Sequence, residues 1–172
     1  MTNIDKSPKI SDAKKTQYKG EAHFLRGLYY FNLVRLFGDV PWIDKQQTAS
    51  DDLQVSRTSK DIVYQHIIDD FSDAASMLPA VYENTTDIGR ATKGAAFGLL
   101  AKVYLTLKRY NETLVAIDSV TNLGVYSLNR KYEWNFSDLR ENGPESLFEV
   151  QYEKSDKSNE NNNESSPRNC NG

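Results

Sequence analysis

The chain determines its fold largely through residues 21–37, which read EAHFLRGLYYFNLVRLF. Ten of the fourteen residues from 24 to 37 are apolar, which leaves no wide polar face. A helix that is apolar all round is normally buried on most sides. The pattern therefore predicts a helix over 17–37 that is buried on most sides. Gly38 and Pro41 predict its end, because glycine favours the position just past a helix and proline cannot continue one.

A second helix is predicted to follow residues 58–61, whose sequence Thr-Ser-Lys-Asp is typical of a capping box. Apolar residues then recur at the spacing of one helix face, at Val63, Ile67, Phe71, Ala74 and Leu78. Pro79 directly follows this face. The pattern predicts a surface helix that turns one apolar side toward a core.

Two further helices are predicted over 91–108 and 110–123. In the third, Gly94 and Gly98 lie four residues apart on one face and predict a tight contact with another helix, because glycine lets two backbones approach closely. In the fourth, helical spacing predicts three residues that point inward, namely Leu114, Ile117 and Val120.

The third and fourth helices share positions with a tetratricopeptide repeat. Its first helix places large and small residues in a fixed order, here Phe97, Leu100, Ala101 and Tyr104. Thr113 and Ile117 fall near the small and aromatic positions of its second helix. Such a repeat needs neighbours to bury its faces, and the first two helices are candidates for another pair, although they match the motif poorly and a long loop joins them. The predicted fold class is mainly α, built from tetratricopeptide-like helix pairs.

Both ends of the chain differ from this helical part. Residues 1–16 are polar and are predicted to form a disordered arm before a helical domain over 17–152. Over 147–152, Phe148, Val150 and Tyr152 alternate with Leu147, Glu149 and Gln151, and this alternation predicts a short strand. Residues 153–172 contain no large apolar residue and are rich in Asn, Ser and charge, which predicts a disordered polar tail.

The charge balance argues against a nucleic-acid partner. The chain has 21 basic and 24 acidic residues, a net charge of −3, whereas nucleic-acid-binding domains usually carry a basic patch. The most apolar run, 24–37, is too short for a membrane span and contains two arginines. The first ten residues lack the apolar core of a signal peptide.

Five segments, read in order, resemble the SusD/RagB family of nutrient-uptake outer-membrane lipoproteins. They are EAHFLRGLYYF at 21–31, LFGDVP at 36–41, GRATKGAA at 89–96, LAKVYL at 100–105 and LFEVQY at 147–152. The resemblance covers about residues 16–152 and implies a superhelix of tetratricopeptide-like helix pairs.

The resemblance also implies a function. It implies non-catalytic capture of a nutrient, usually a glycan, at the outer surface of the cell, without a cofactor. The implied partners are a SusC-like TonB-dependent transporter of the outer membrane and an oligosaccharide bound by the full-length protein. Family members begin with a lipoprotein signal and an acylated cysteine, so the functional protein is expected to start upstream of Met1. A free-standing tetratricopeptide-like scaffold for protein partners is the alternative.

Trp134 and Asn135 are the candidate carbohydrate-binding residues. They lie in an irregular segment where polar groups that can bond sugar hydroxyls flank an aromatic ring. Trp42 is a weaker candidate. The alternative is that Trp42 packs beneath the loop after the first helix and that Trp134 fills the edge of the core. A single such platform predicts that this chain alone binds glycans weakly, with a dissociation constant near millimolar at best, about −4 kcal/mol.

No residue pattern indicates catalysis or a metal site. His23 and His66 are far apart in sequence and are expected to be half-buried helix residues. Asp69 and Asp70 are adjacent and would diverge by about 100° on a helix, a poor geometry for a catalytic pair. Both are expected to be surface charges, and the chain is not predicted to be an enzyme.

Overall fold

The computed structural model describes residues 4–48 and 54–151. Within them the protein is mainly α-helical, as predicted, with four α-helices: α1 (Asp12–Phe37), α2 (Lys60–Met77), α3 (Lys93–Thr106) and α4 (Tyr110–Thr121). Short 3₁₀ turns occur at Ile4–Lys6, Thr85–Asp87, Tyr132–Phe136 and Asp138–Arg140. The predicted polar tail, 153–172, lies outside the described residues, and its disorder stays a prediction.

Helix α1 begins five residues before its predicted start. The Ser11 hydroxyl accepts a hydrogen bond from the Lys14 N–H and caps the helix. The Asp5 carboxylate also pairs with Lys19 of the second turn at 2.6 Å. The predicted arm over 1–16 therefore overlaps the first turn of α1. At the other end, Gly38 takes the positive φ of +69° that favours glycine, and its N–H bonds the Val34 carbonyl at 3.0 Å.

The N-terminus of α2 is capped by a distant residue rather than by the predicted capping box. Ser59 occupies the cap position but makes no capping hydrogen bond with its side chain. Instead, the Asp39 carboxylate accepts from the Lys60 N–H at 2.7 Å. An antiparallel bridge between Val40 and Thr58 brings Asp39 to this helix end. The capping-box prediction failed because the chain returns close to its own earlier loop.

The four helices pack in chain order, α1 on α2, α2 on α3 and α3 on α4. The predicted inward face of α2 is fully confirmed, since all five of its apolar residues are buried: Val63, Ile67, Phe71, Ala74 and Leu78. They meet the inner face of α1, where Phe24 and Phe31 are at most 1% exposed. Phe24 and Phe71 pack edge to face with ring centroids 5.9 Å apart.

The outer face of α1 is exposed, although the sequence predicted burial on most sides. Its exposed residues are large and apolar: Leu25, Tyr29, Leu33, Leu36 and Phe37. The prediction was wrong for the described part of the chain, because α1 is the first layer of the stack and only its inner side meets α2. No helix in the described part is long and apolar enough to cross a membrane.

Helix α4 is rotated from the predicted register. Thr113 and Ala116 face inward and are buried, whereas Leu114 and Ile117, predicted to point inward, are 61% and 45% exposed. Small residues permit a close approach to α3, and the Thr113 hydroxyl is satisfied by the Arg109 carbonyl at 2.9 Å. The small residue at the repeat position therefore sets the register, and the larger apolar residues remain outside.

The strand predicted near 147–152 does not form over 147–151, and Tyr152 lies outside the described residues. Among the described residues the only β-type pairing is the bridge between Val40 and Thr58, so no neighbouring strand is present to form a ladder. Two residues of the same predicted strand side also lie in different environments. Phe148 packs against Phe24 with ring centroids 4.9 Å apart, while Val150 is 60% exposed.

Candidate functional site

The glycine face of α3 contacts the chain that follows α4. A Cβ atom at Gly94 would overlap the ring of Tyr126, and one at Gly98 would lie 2.5 Å from Cδ1 of Leu147. The predicted tight contact therefore exists, but its partner is the irregular segment over 125–151 and not another helix. That correction matters because this segment carries both candidate carbohydrate-binding residues.

Further contacts fix this segment against α3. The Tyr126 and Thr92 hydroxyls share a hydrogen bond at 2.9 Å. The Ser127 N–H donates to the Pro144 carbonyl at 3.0 Å, which brings the two ends of the segment together. Between them the chain loops away from α3 and leaves a cavity.

This cavity, the α3 cleft, has a volume of about 480 Å³, within the range of about 300–1,000 Å³ typical of small-molecule sites. Its apolar lining comes from Leu28, Leu99, Leu147 and Phe148. Its polar lining comes from Lys102 of α3 and from the segment, namely Asn129, Asn135, Arg140, Glu145, Ser146 and Glu149. The cleft combines an apolar lining with several hydrogen-bonding groups.

Asn135, a predicted site residue, lies in the wall of the α3 cleft. Its amide accepts from the Asn129 side chain and donates to the Glu145 carboxylate at 3.1 Å. The same carboxylate oxygen accepts from the Asn129 backbone N–H at 2.9 Å. The backbone hydrogen bond from Asn129, followed by that from the Asn135 side chain, lowers the pKa of Glu145. The Glu145 carboxylate is therefore ionised at neutral pH and serves as a fixed acceptor.

Trp134, the other predicted site residue, lies beside the cleft and is half-buried. The Arg140 guanidinium lies 3.7 Å from the centroid of its ring, so one face of the ring is already occupied. Arg140 itself lines the cleft. The structure thus connects Trp134 to the cleft through Arg140, and a sugar ring could stack only on the remaining face.

Sequence reasoning missed most polar residues of the cleft. Asn129, Arg140 and Glu145 belong to none of the quoted segments, and Lys102, which lies in one of them, carried no sign of a binding role. Asn129 and Glu145 meet only because the segment closes on itself at Ser127 and Pro144. The one available signal was an irregular, polar stretch after the last helix, which is where binding residues often occur.

Trp42 is half-buried in the loop after α1 and packs against the helical core. Its ring stacks on His66 with centroids 4.5 Å apart and an interplanar angle of 16°, and it contacts Tyr30 at 4.3 Å. The Arg26 guanidinium lies 4.9 Å from the centroid of the Trp42 ring. Arg26 and Tyr30 are four residues apart and share one face of α1. His66 is half-buried, as expected, and stacks on the Trp42 ring.

Asp70 is a buried charge, which corrects the prediction that both adjacent aspartates are surface residues. Only Asp69 is exposed, while Asp70 is 2% exposed. The Asp70 carboxylate pairs with Arg26 and lies 2.7 Å from Nδ1 of the half-buried His23. Burial alone raises the pKa of Asp70, but the hydrogen bonds from Arg26 and then His23 outweigh it, so the pKa lies below its ordinary value. The group holds α1 to α2.

A second polar cluster, which is half-buried, connects α1 to the loop before α3. The Glu21 carboxylate accepts two hydrogen bonds from the Arg90 guanidinium, both at 2.9 Å. The Tyr82 hydroxyl donates to the Ala91 carbonyl at 2.9 Å. Burial, followed by the charge of Glu21, raises the pKa of Tyr82. Glu21 and Arg90 belong to two of the quoted sequence segments, and the structure explains them as a structural pair.

No group of His, Cys, Asp or Glu residues within 4–48 and 54–151 could hold a metal ion. The described residues instead define a class of protein, a stack of helix pairs with a mixed polar and apolar cleft formed by the chain that follows. Comparison with known proteins identifies the family. The family model described as SusD-like, starch-binding and associating with the outer membrane matches residues 2–105. The chain belongs to the SusD-like family.

Individual relatives agree with this assignment. A SusD-like protein of Bacteroides ovatus is 34% identical over 155 residues, covering 83% of this chain and 28% of the relative. The crystal structure of a SusD-like protein from Bacteroides fragilis matches with a TM-score of 0.78 at 36% identity, covering 86% of this chain and 30% of that one. A laminarin-binding SusD-like protein matches with a TM-score of 0.78 at 29% identity, covering 87% of this chain and 33% of that one.

The chain therefore spans about 30% of the length of these relatives. The family model ends at residue 105, before the segment that supplies most polar residues of the α3 cleft. Lys102 is the one polar cleft residue inside the matched range. The chemistry of the cleft must therefore be argued from the residues of this chain.

Proposed function

We propose that this protein captures glycan at the cell surface without chemical conversion, as part of an outer-membrane uptake system with a SusC-like TonB-dependent transporter. The observation that carries the proposal is the α3 cleft, where amide, carboxylate and cationic groups surround an apolar lining. Sugars need both kinds of surface, since their hydroxyls form hydrogen bonds and their C–H faces pack on apolar groups. Membership of a family described as starch-binding and associated with the outer membrane supports the same function.

Asn135 and Trp134 have distinct roles in this proposal. Asn135 is held between Asn129 and Glu145, so its amide is positioned before a ligand arrives. In this proposal a sugar stacks on the face of the Trp134 ring opposite Arg140, whose guanidinium packs on the first face. Hydrogen bonds to a solvated sugar contribute about 0.5–1.5 kcal/mol each, so this site alone supports weak binding.

The proposed function is non-catalytic. Glycoside hydrolysis uses two carboxyl groups, one of which is a general acid with a raised pKa. Glu145, a carboxylate of the cleft, has a lowered pKa because two N–H groups donate to it. It is therefore a poor proton donor at neutral pH. Incubation with oligosaccharides should release no reducing ends, and measurable release would contradict this part of the proposal.

NMR titration tests the binding site at millimolar ligand. Maltohexaose, laminarihexaose and a mucin-type oligosaccharide should be added to isotope-labelled protein, and at least one should shift the amide signals of 129–149. Trp134→Ala and Asn135→Ala should each weaken that binding. Tyr132→Ala is the matched control, because Tyr132 is 79% exposed and lies outside the cleft lining. Equal binding by all three variants would contradict the site.

A pull-down tests the transporter partnership independently of the glycan. The immobilised chain should retain a SusC-like transporter from detergent-solubilised outer membranes. Retention of transporter without any glycan binding would support the partner and reject the glycan site in this chain.

The alternative, a scaffold for protein partners, has one observation in its favour. The outer faces of α1 and α4 expose large apolar residues, among them Tyr29 at 65% and Leu114 at 61%, and such patches often mark protein contacts. Protein binding that is lost on Tyr29→Glu, combined with no glycan binding, would favour the scaffold.

A further inference from the structure

We infer that the α3 cleft takes an uncharged sugar, an unsubstituted hexose unit, and discriminates against uronate or sulfated units. The inference rests on the proposed function and specifies its ligand class. It follows from the charges that line the cleft and from the partners that those charges have.

The cleft contains two cationic and two anionic side chains. Lys102 extends from α3, and Arg140 contributes from the opposite segment. Neither forms an ion pair with any residue in the described ranges. Within the described part of the chain, the Arg140 guanidinium contacts the Trp134 ring, and the N–H groups of both cations are available to a ligand.

The two carboxylates are held by neutral donors. Glu145 accepts from the Asn129 backbone and the Asn135 amide, and Glu149 accepts from the Asn142 N–H at 3.0 Å. Among the described residues, neither carboxylate forms an ion pair with a cation. Each carboxylate has two oxygens and about four acceptor positions, so both keep free acceptor capacity toward the cleft.

An uncharged hydroxyl satisfies both kinds of group, because it donates one hydrogen bond and accepts others. A hexose unit could accept from Lys102 or Arg140 on one side and donate to Glu145 or Glu149 on the other. A carboxylate or sulfate group only accepts. It would gain from the cations, but it would bring like charge into a confined space beside the two glutamates, which is unfavourable.

The apolar lining fits the same ligand class. Leu28, Leu99 and Leu147 line the cleft together with the half-buried ring of Phe148. Phe148 is held in place by its edge-to-face contact with Phe24. Such a lining accommodates the C–H face of a hexose, while a charged substituent directed at it would lose its hydration without gaining a partner.

The test compares ligands of equal length and different charge by NMR titration of the whole chain. Maltohexaose and laminarihexaose are the neutral probes, and hexagalacturonate and a sulfated glucan hexasaccharide are the charged ones. At least one neutral probe should shift the signals of the cleft residues with a dissociation constant at least tenfold lower than either charged probe. Glu149→Gln should raise the affinity for hexagalacturonate severalfold, and Lys102→Gln should lower it.

Two controls keep the result interpretable. Lys108→Gln removes an exposed cation outside the cleft lining and should leave every affinity unchanged. Glu149→Gln retains a side-chain acceptor for the Asn142 N–H, and Glu145→Gln does the same for Asn129, so either variant serves if the other fails to fold. Tighter binding of a charged probe in the cleft would overturn this inference and leave the proposed function intact. Absence of binding by all four probes would overturn both.

Discussion

The Asp70 carboxylate accepts two hydrogen bonds from the Arg26 guanidinium, at 2.8 and 2.6 Å, across the interface between α1 and α2. Nδ1 of His23, one turn before Arg26 on α1, also lies 2.7 Å from one oxygen of this carboxylate. Because Asp70 is 2% exposed, its charge is compensated by these side chains rather than by water. The pairing fixes α1 against α2 at the level of the Phe24–Phe71 contact.

Asp70→Ala should strongly destabilise the protein. Removal of one partner from a buried ion pair leaves the other charge uncompensated and typically costs about 3–5 kcal/mol. Asp69→Ala is the matched control, because the neighbouring Asp69 is exposed and its carboxylate accepts from the Gln65 side chain. Asp69→Ala should change the free energy of unfolding by no more than about 0.5 kcal/mol. Urea denaturation of both variants measures the difference, and equal costs would show that the pair does not hold α1 to α2.

The same pair predicts a loss of stability in acid. Because the pKa of Asp70 is lowered in the folded protein, the pair contributes its full stability above the unfolded-state pKa of about 3.9. That contribution should be lost as the pH falls through the lower folded-state pKa. Free energies of unfolding measured as a function of pH should therefore decrease more steeply below about pH 4 in the wild type than in Asp70→Asn. If the wild-type and Asp70→Asn profiles run parallel, the loss of stability in acid comes from other carboxylates.

Helix positions were predictable because they depend on local signals. The inward face of α2 follows from the spacing of residues such as Ile67 and Phe71, and the end of α1 follows from Gly38. Two features depended on distant parts of the chain and were not predictable. Capping of α2 by Asp39 requires the bridge between Val40 and Thr58. The outer face of α1 consists of large apolar residues, as a buried face would, but no other described element packs on it.

Phe31→Ala and Tyr29→Ala should differ strongly although the two positions are separated by one residue on α1. Phe31 is 1% exposed and packs in the core, so its truncation should cost about 3–5 kcal/mol. Tyr29 is 65% exposed on the outer face, so its truncation should cost about 0.5 kcal/mol or less. Thermal denaturation of the two variants tests this. A large cost at Tyr29 would show that the outer face is covered in solution, for example by self-association.

The candidate site was only partly predictable, for a physical reason. The polar groups around Asn135 converge through hydrogen bonds between residues up to 16 positions apart, such as Asn129 and Glu145. Sequence spacing carries no information about such contacts in an irregular segment. The sequence did identify Trp134 as an aromatic residue among polar groups, but the occupation of one ring face by Arg140 depends on the fold of the segment.

Gly98→Leu should be more damaging than Lys102→Leu, although leucine is the better helix former. On an exposed face, replacing glycine by leucine would stabilise the helix by less than about 1 kcal/mol. At Gly98 even a Cβ atom would lie 2.5 Å from Leu147, and overpacking costs about 1–3 kcal/mol, so the steric term should dominate. Lys102 lies one turn further along α3 and is exposed, so its replacement lacks this clash.

The double variant Gly98→Leu with Leu147→Ala identifies the cause. If the clash with Leu147 is responsible, the double variant should recover part of the stability that Gly98→Leu loses. Because Gly98 also lines the α3 cleft, the single variant should in addition lose the oligosaccharide-induced NMR shifts of 129–149. A melting temperature that rises in Gly98→Leu would show that the segment over 125–151 does not pack on the glycine face of α3, and the cleft that depends on this packing would then have to be rejected.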